Sequence, residues 1–222
     1  ELPDLWDVNI SYVENDSMSA RFGEEGHQEK YVGFVKKLTT KPVVSVGRFT
    51  SPDAMASLVK RGIADFIGAA RPSIADPFLP SKISAGHEDD IRECIGCNIC
   101  RSTNNMGAPI RCTQNPTMGE EYRRGWHPER IAPAGGFKDD GVLVVGGGPA
   151  GLECALSLGR RGYRVALAEA GRELGGRINR ESRLPGLSTY ARVRDWRLGQ
   201  IAKLANIEVF RESHLDREQI LE

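Results

Sequence analysis

Four cysteines, Cys94, Cys97, Cys100 and Cys112, fall in one short stretch at spacings of x2, x2 and x11. Three thiolates at equal two-residue spacing can wrap one face of a cube of iron and sulfide, and a fourth can arrive from a distal segment. Zinc sites more often pair two C-x2-C units or use histidines at set spacing. Here the nearest histidines, His87 and His127, lie outside the loop. The spacing favours a 4Fe–4S cluster, with zinc or buried redox thiols as the alternatives. Cys154 sits at an apolar position of a helical stretch and is expected to be a packed core thiol. Five cysteines is an odd count, which suits thiols in a reducing compartment better than a disulfide framework.

A second constellation begins at Gly141 with the text GVLVVGGGPAG. Gly146 permits a tight turn after a strand, Gly148 lets the backbone approach a pyrophosphate, and Gly151 lets the following helix pack closely. Free N–H groups at that helix's start face the anion. Glu169 ends the next strand, where a carboxylate accepts from ribose hydroxyls and disfavours a 2′-phosphate. The LGGR stretch at 174–177 adds a second flexible turn. Two arginines form the third constellation, each closing an apolar run: Gly47-Arg48 after KPVVSV, and Ala70-Arg71 after ADFIGA. In a β/α barrel the loops after the last two strands often hold a phosphate, with arginine as the fork. Surface salt bridges are the alternative for this pair.

The elements that must carry these residues can be read from the same text. Leu5 to Ile10 is a strand candidate with Gln28 to Leu38 as its helix. KPVVSVGRFT follows as a second strand. Ser51-Pro52-Asp53 then opens a helix with a hydroxyl cap, a proline in the first turn and an early acid, and Gly62 stops it. This alternation predicts parallel β/α units. After Gly141 the order is strand, glycine turn, helix, strand, an amphipathic helix over 186–203 and a strand at IEVF, 207–210. Lys plus Arg and Asp plus Glu both total 30, so no broad basic face exists for nucleic acid or for a polybasic membrane anchor. No apolar run approaches the ~20 residues of a transmembrane helix. A cytoplasmic setting is expected.

Longer stretches carry a family resemblance. IRECIGCNIC (91–100), CTQNP (112–116) and GEEYRRGWHPER (119–130) resemble the flavin and iron–sulfur amine dehydrogenases. That group includes trimethylamine and dimethylamine dehydrogenases, with 2,4-dienoyl-CoA reductase as a more distant relative. KPVVSVGRFTSPDAM (41–55) and ARPSIADPFLP (70–80) resemble the end of the family's old-yellow-enzyme-type barrel. DLWDVNI, ENDS and SARF are most similar to the branch that demethylates N-methylated amino acids such as dimethylglycine. The resemblance implies an internal fragment of a longer α/β chain. Residues 1–92 would be the C-terminal part of a TIM (β/α)8 barrel that binds FMN. Residues 93–137 would hold the cluster and a linker, and residues 138–222 would begin a Rossmann-like domain for ADP or FAD.

By the same resemblance Gly47, Arg48, Ala70 and Arg71 would hold the FMN phosphate. Cys94, Cys97, Cys100 and Cys112 would ligate the 4Fe–4S cluster, and Gly146, Gly148, Gly151 and Glu169 would bind the ADP moiety. The implied reaction is oxidative demethylation of a small N-methylated amine. Its electrons would pass through the cluster to an electron-transfer flavoprotein or similar acceptor, and a homo-oligomer is expected. An alkene reductase driven by NAD(P)H is the runner-up, and a non-catalytic electron-transfer module the reading of another class. No catalytic residue is assigned, because the flavin-ring and substrate contacts would lie in the missing barrel strands.

Overall fold

The computed structural model describes residues 3–10, 20–135 and 141–221. The ENDS stretch at 14–17 and most of the loop around it lie outside the described residues. The chain divides into two compact units, Glu1–Arg124 and Gly125–Glu222.

The first unit is built on a three-stranded parallel sheet, β1 (Trp6–Val8), β2 (Val43–Ser45) and β3 (Phe66–Ile67), in chain order. Trp6 pairs with Val43, and Val44 pairs with Phe66. The expected helix over 28–38 is interrupted. Helix α1 covers only Glu29–Val32, and a 3-10 turn covers Val35–Leu38. Gly33 separates them; a Cβ there would stand 2.7 Å from the Glu29 carbonyl oxygen. Helix α2 (Pro52–Lys60) starts where the text predicts, with Ser51 accepting a long 3.5 Å hydrogen bond from the Ala54 N–H. Its Met55 and Leu58 join Val43, Phe49, Ala64, Leu79 and Ile91 in the core. Helices α3 (Ala70–Ala75) and α4 (Leu79–Ser84) follow β3. Then come the cysteine segment with α5 (Ile99–Asn105) and the short α6 (Glu121–Arg124).

The second unit carries β4 (Gly141–Val145), β5 (Arg164–Ala168) and β6 (Ile207–Phe210), again parallel and in chain order. Helix α7 (Pro149–Arg160) connects the first two strands. The short α8 (Ile178–Glu181) and α9 (Ala191–Ile201) connect the next two, and α10 (Arg217–Leu221) ends the described chain. α7 buries Leu152, Ala155, Leu156 and Gly159, the i, i+3, i+4, i+7 stripe of a helix on a sheet. Cys154 falls off that stripe and is exposed, so the expectation of a core thiol is corrected. α9 buries Arg197 and Gln200 beside Val193, Trp196 and Ile201. Glu153 accepts from Arg197 Nε at 2.7 Å, which pairs the buried guanidinium.

Candidate functional site

Two strand ends in the first unit open onto one cavity of about 400 Å³. Gly47 and Arg48 line it after β2, and Gly68, Ala69, Ala70 and Arg71 line it after β3. Cys100, Arg101 and Asn104 of α5 form another part of the same wall. The two arginines that the sequence singles out are therefore brought together, and beside them stands one of the four cysteines. Arg48 has a φ of 59°, a left-handed conformation uncommon outside glycine that gathers at ligand sites. Its guanidinium nitrogens Nε and Nη1 are shielded from solvent. Three arginines, Arg48, Arg71 and Arg101, line this cavity, and the guanidinium is the donor type that a dianionic phosphate needs.

The cysteine segment is held by polar groups, which the sequence reading missed. Gln114 and Asn115, both 1% exposed, follow Cys112 directly. Gln114 Nε2 donates to the Glu93 carbonyl, and Asn115 Nδ2 donates to the Ile74 carbonyl. Asp76, 2% exposed, accepts from the Arg92 N–H at 2.9 Å and from Lys82 Nζ at 2.7 Å. These bonds fix both ends of the loop on α3 and α4. The only legible trace was the polar pair in CTQNP, which carries no periodicity.

Sulfur atoms in this loop receive backbone donors. The Gly96 N–H reaches Cys94 Sγ at 3.4 Å, and the Gln114 N–H reaches Cys112 Sγ at 3.3 Å. Thr113 Oγ1 lies 3.2 Å from Cys97 Sγ. Burial pushes the Cys94 thiol up to about 11, aided by the charges of Cys112 and Cys97. Burial and then the neighbouring cysteines likewise raise Cys100, and burial with Cys97 raises Cys112. Among the described residues, no three His, Cys, Asp or Glu side chains converge on a single ion-sized point.

In the second unit the glycine turn lies between β4 and α7. Gly146 has a φ of 97°, and Gly148 caps the helix with Pro149 in the first turn. A Cβ at Gly151 would stand 1.8 Å from the Gly146 carbonyl oxygen, so the turn and the helix can meet only without a side chain there. Glu169 follows β5 and binds backbone: Oε2 accepts from the Gly147 N–H at 2.7 Å, and Oε1 from the Gly171 N–H at 2.8 Å. The second glycine stretch packs on the first, because the Gly175 N–H donates to the Gly147 carbonyl at 2.7 Å. LGGR thus braces the first glycine turn.

Comparison with known proteins agrees with this division. Residues 2–90 match the NADH:flavin oxidoreductase / NADH oxidase family. Residues 144–196 match the NAD(P)-binding Rossmann-like domain. Over 205 residues the chain is 51% identical to dimethylamine dehydrogenase from Hyphomicrobium sp. (strain x), covering 90% of this chain and 28% of that protein. Two solved structures superpose closely. Histamine dehydrogenase from Rhizobium sp. 4-9 has a TM-score of 0.95 and 55% identity, over 99% of this chain and 32% of that one. The 6-hydroxypseudooxynicotine amine oxidase from Pseudomonas geniculata N1 has a TM-score of 0.94 and 58% identity, over 98% and 32%. The chain thus spans under a third of the length of these relatives. The resemblance to amine-dehydrogenase flavoproteins is borne out. No helix among the described residues is long and apolar enough to cross a membrane.

Proposed function

We propose that this chain is the part of an iron–sulfur flavoenzyme that joins an FMN-binding barrel to a nucleotide-binding domain, and that the whole enzyme oxidatively demethylates a small N-methylated amine. The observation that carries the reading is the single cavity lined by Gly47, Arg48, Ala70 and Arg71 and also by Cys100. It supports a flavin phosphate gripped by two guanidinium groups next to a cluster ligand. FMN, when bound, supplies the two-electron acceptor for amine oxidation, and a 4Fe–4S cluster the one-electron outlet.

The residues divide the work. Arg48 and Arg71 neutralise and orient the phosphate, which fixes the distance from that end of the cofactor to the cysteine loop. Cys94, Cys97, Cys100 and Cys112 serve as thiolate ligands. The x2, x2, x11 spacing, with no histidine inside the loop, favours a 4Fe–4S cluster over a lone zinc. Backbone N–H groups of Gly96 and Gln114 stabilise the thiolates and tune the cluster's potential. In the second unit Gly146, Gly148 and Gly151 take the pyrophosphate of ADP or FAD at the α7 N-terminus. Glu169 braces the turn and presents a carboxylate towards ribose hydroxyls. Residues 1–92 are the closing strands of a (β/α)8 barrel, 93–137 the cluster segment and linker, and 138–222 the start of the Rossmann-like domain. The electron acceptor is a separate flavoprotein.

The test uses the full-length protein, purified anaerobically and titrated with dimethylamine and with dimethylglycine. Loss of flavin absorbance followed by a reduced-cluster paramagnetic signal is the expected result. Reduction of both centres by NAD(P)H with neither amine effective overturns the reading in favour of an alkene reductase. A protein without iron removes the electron route altogether.

A further inference from the structure

A side-chain bond runs between the phosphate cavity and the cysteine loop. Arg71 Nη1 donates to Asn98 Oδ1 at 2.5 Å, across 27 residues of chain. Asn98 lies between Cys97 and Cys100, and its φ of 59° puts it in the left-handed region at the start of α5. Asparagine tolerates that conformation better than other residues with a Cβ. Resting on the functional reading above, we propose that Asn98 is a positioning residue that couples the phosphate site to the cluster loop, through the guanidinium of Arg71.

The physical argument is one of shared ordering. A guanidinium presents several N–H donors in a rigid fork, so a single side chain of this type can bind Asn98 and an anion together. Fixing the long Arg71 side chain costs rotamer entropy once. When phosphate has fixed it, Asn98 gains a stationary, charge-assisted partner, and the turn from Cys97 to Cys100 is held in its ligating shape. When the cluster has fixed that turn, Arg71 is already aimed at the phosphate. Coupling of this kind is reciprocal, so each group raises the affinity for the other. Arg101 and Asn104, on the same helix as Cys100, line the cavity too.

The experiment separates phosphate from the rest of the flavin. Full-length protein is produced under riboflavin limitation with its cluster assembled, and iron and flavin are quantified. Iron release to a chelator is then timed alone, with FMN, and with riboflavin, which lacks the phosphate. FMN is expected to slow release on the order of tenfold, and riboflavin far less. Asn98→Gly keeps the left-handed backbone but removes the acceptor, and should erase the advantage of FMN over riboflavin. Asn98→Asp retains an acceptor oxygen and should keep that advantage. Equal protection by FMN and riboflavin in the unaltered protein overturns the coupling, whether or not the variants fold. So does an undiminished FMN advantage in Asn98→Gly. Protein that holds no iron refutes the functional reading and the coupling together, and the initial iron analysis distinguishes that failure from the others.

Discussion

At the scale of single residues, two glycines of one motif are required for different reasons. Gly151 has no room for a side chain: a Cβ would stand 1.8 Å from the Gly146 oxygen. Gly148 meets nothing within 4 Å, and its backbone is extended. Gly151→Ala must push α7 away from the turn, which costs about 1–3 kcal/mol or more in a packed site and lowers the unfolding midpoint. Gly148→Ala should fold with a loss under about 1 kcal/mol, that of a poorer helix cap. Under the proposed nucleotide site its added methyl would enter the pyrophosphate's space, and ADP affinity should fall about tenfold or more. Calorimetric unfolding and ADP titration on both variants check this. Equal stability losses at the two positions would refute the division of roles.

At the scale of elements, Glu120 at the start of α6 gathers three arginines. It contacts Arg111 at 2.7 Å, Arg123 at 2.6 Å and Arg124 at 2.8 Å. Burial opposes its charge, but the hydrogen bonds from Arg123 and Arg124, with the charges of Arg123 and Arg111, outweigh it. They hold the carboxyl below its usual 4.5. A carboxylate depressed in the folded state contributes stability that is complete above the unfolded value. That stability is lost as pH falls through the folded one. The unfolding midpoint of the first unit should therefore drop as pH falls below 4.5, and Glu120→Gln should flatten that dependence. A variant with an unchanged pH profile would show that the arginines contribute nothing there. The elements differed in how far they could be read in advance. α2 was legible because Ser51, Pro52 and Gly62 are local signals, and β4–turn–α7 because each glycine answers a local steric demand. The break at Gly33 was not legible, since the apolar spacing continues through it. Nor was the polar clamp of Asp76, Gln114 and Asn115, whose partners are long-range carbonyls and N–H groups. Cys154 misled because an apolar residue type says nothing of which side of the helix it occupies.

At the scale of the whole molecule, the two units have separate cores. One centres on Val43, Phe49, Leu58 and Leu79, the other on Leu152, Leu156, Leu167 and Trp196. The cysteine segment contributes little apolar burial: among its described residues Ile95 is buried, whereas Gln114 and Asn115 are buried polar groups. Such a segment depends on hydrogen bonds and, under the proposed cysteine ligation, on the cluster, as small metal-bound loops do. In the full-length protein, iron removal should therefore lower the unfolding transition that contains the first unit and leave the second nearly unmoved. ADP should do the reverse. A ligand that binds only the folded state stabilises it by about 2.7 kcal/mol at a hundredfold excess over its Kd, and that gain should appear in the second unit alone. Hydrogen exchange read by mass spectrometry assigns each change to its residues. Protection of α7 and of the turn at 146–148 by ADP, with exposure of residues 93–118 on iron removal, is the expected pair of results. If ADP and iron shift the same peptides together, the two units are one cooperative body, and cores that are separate in packing are joined in energy.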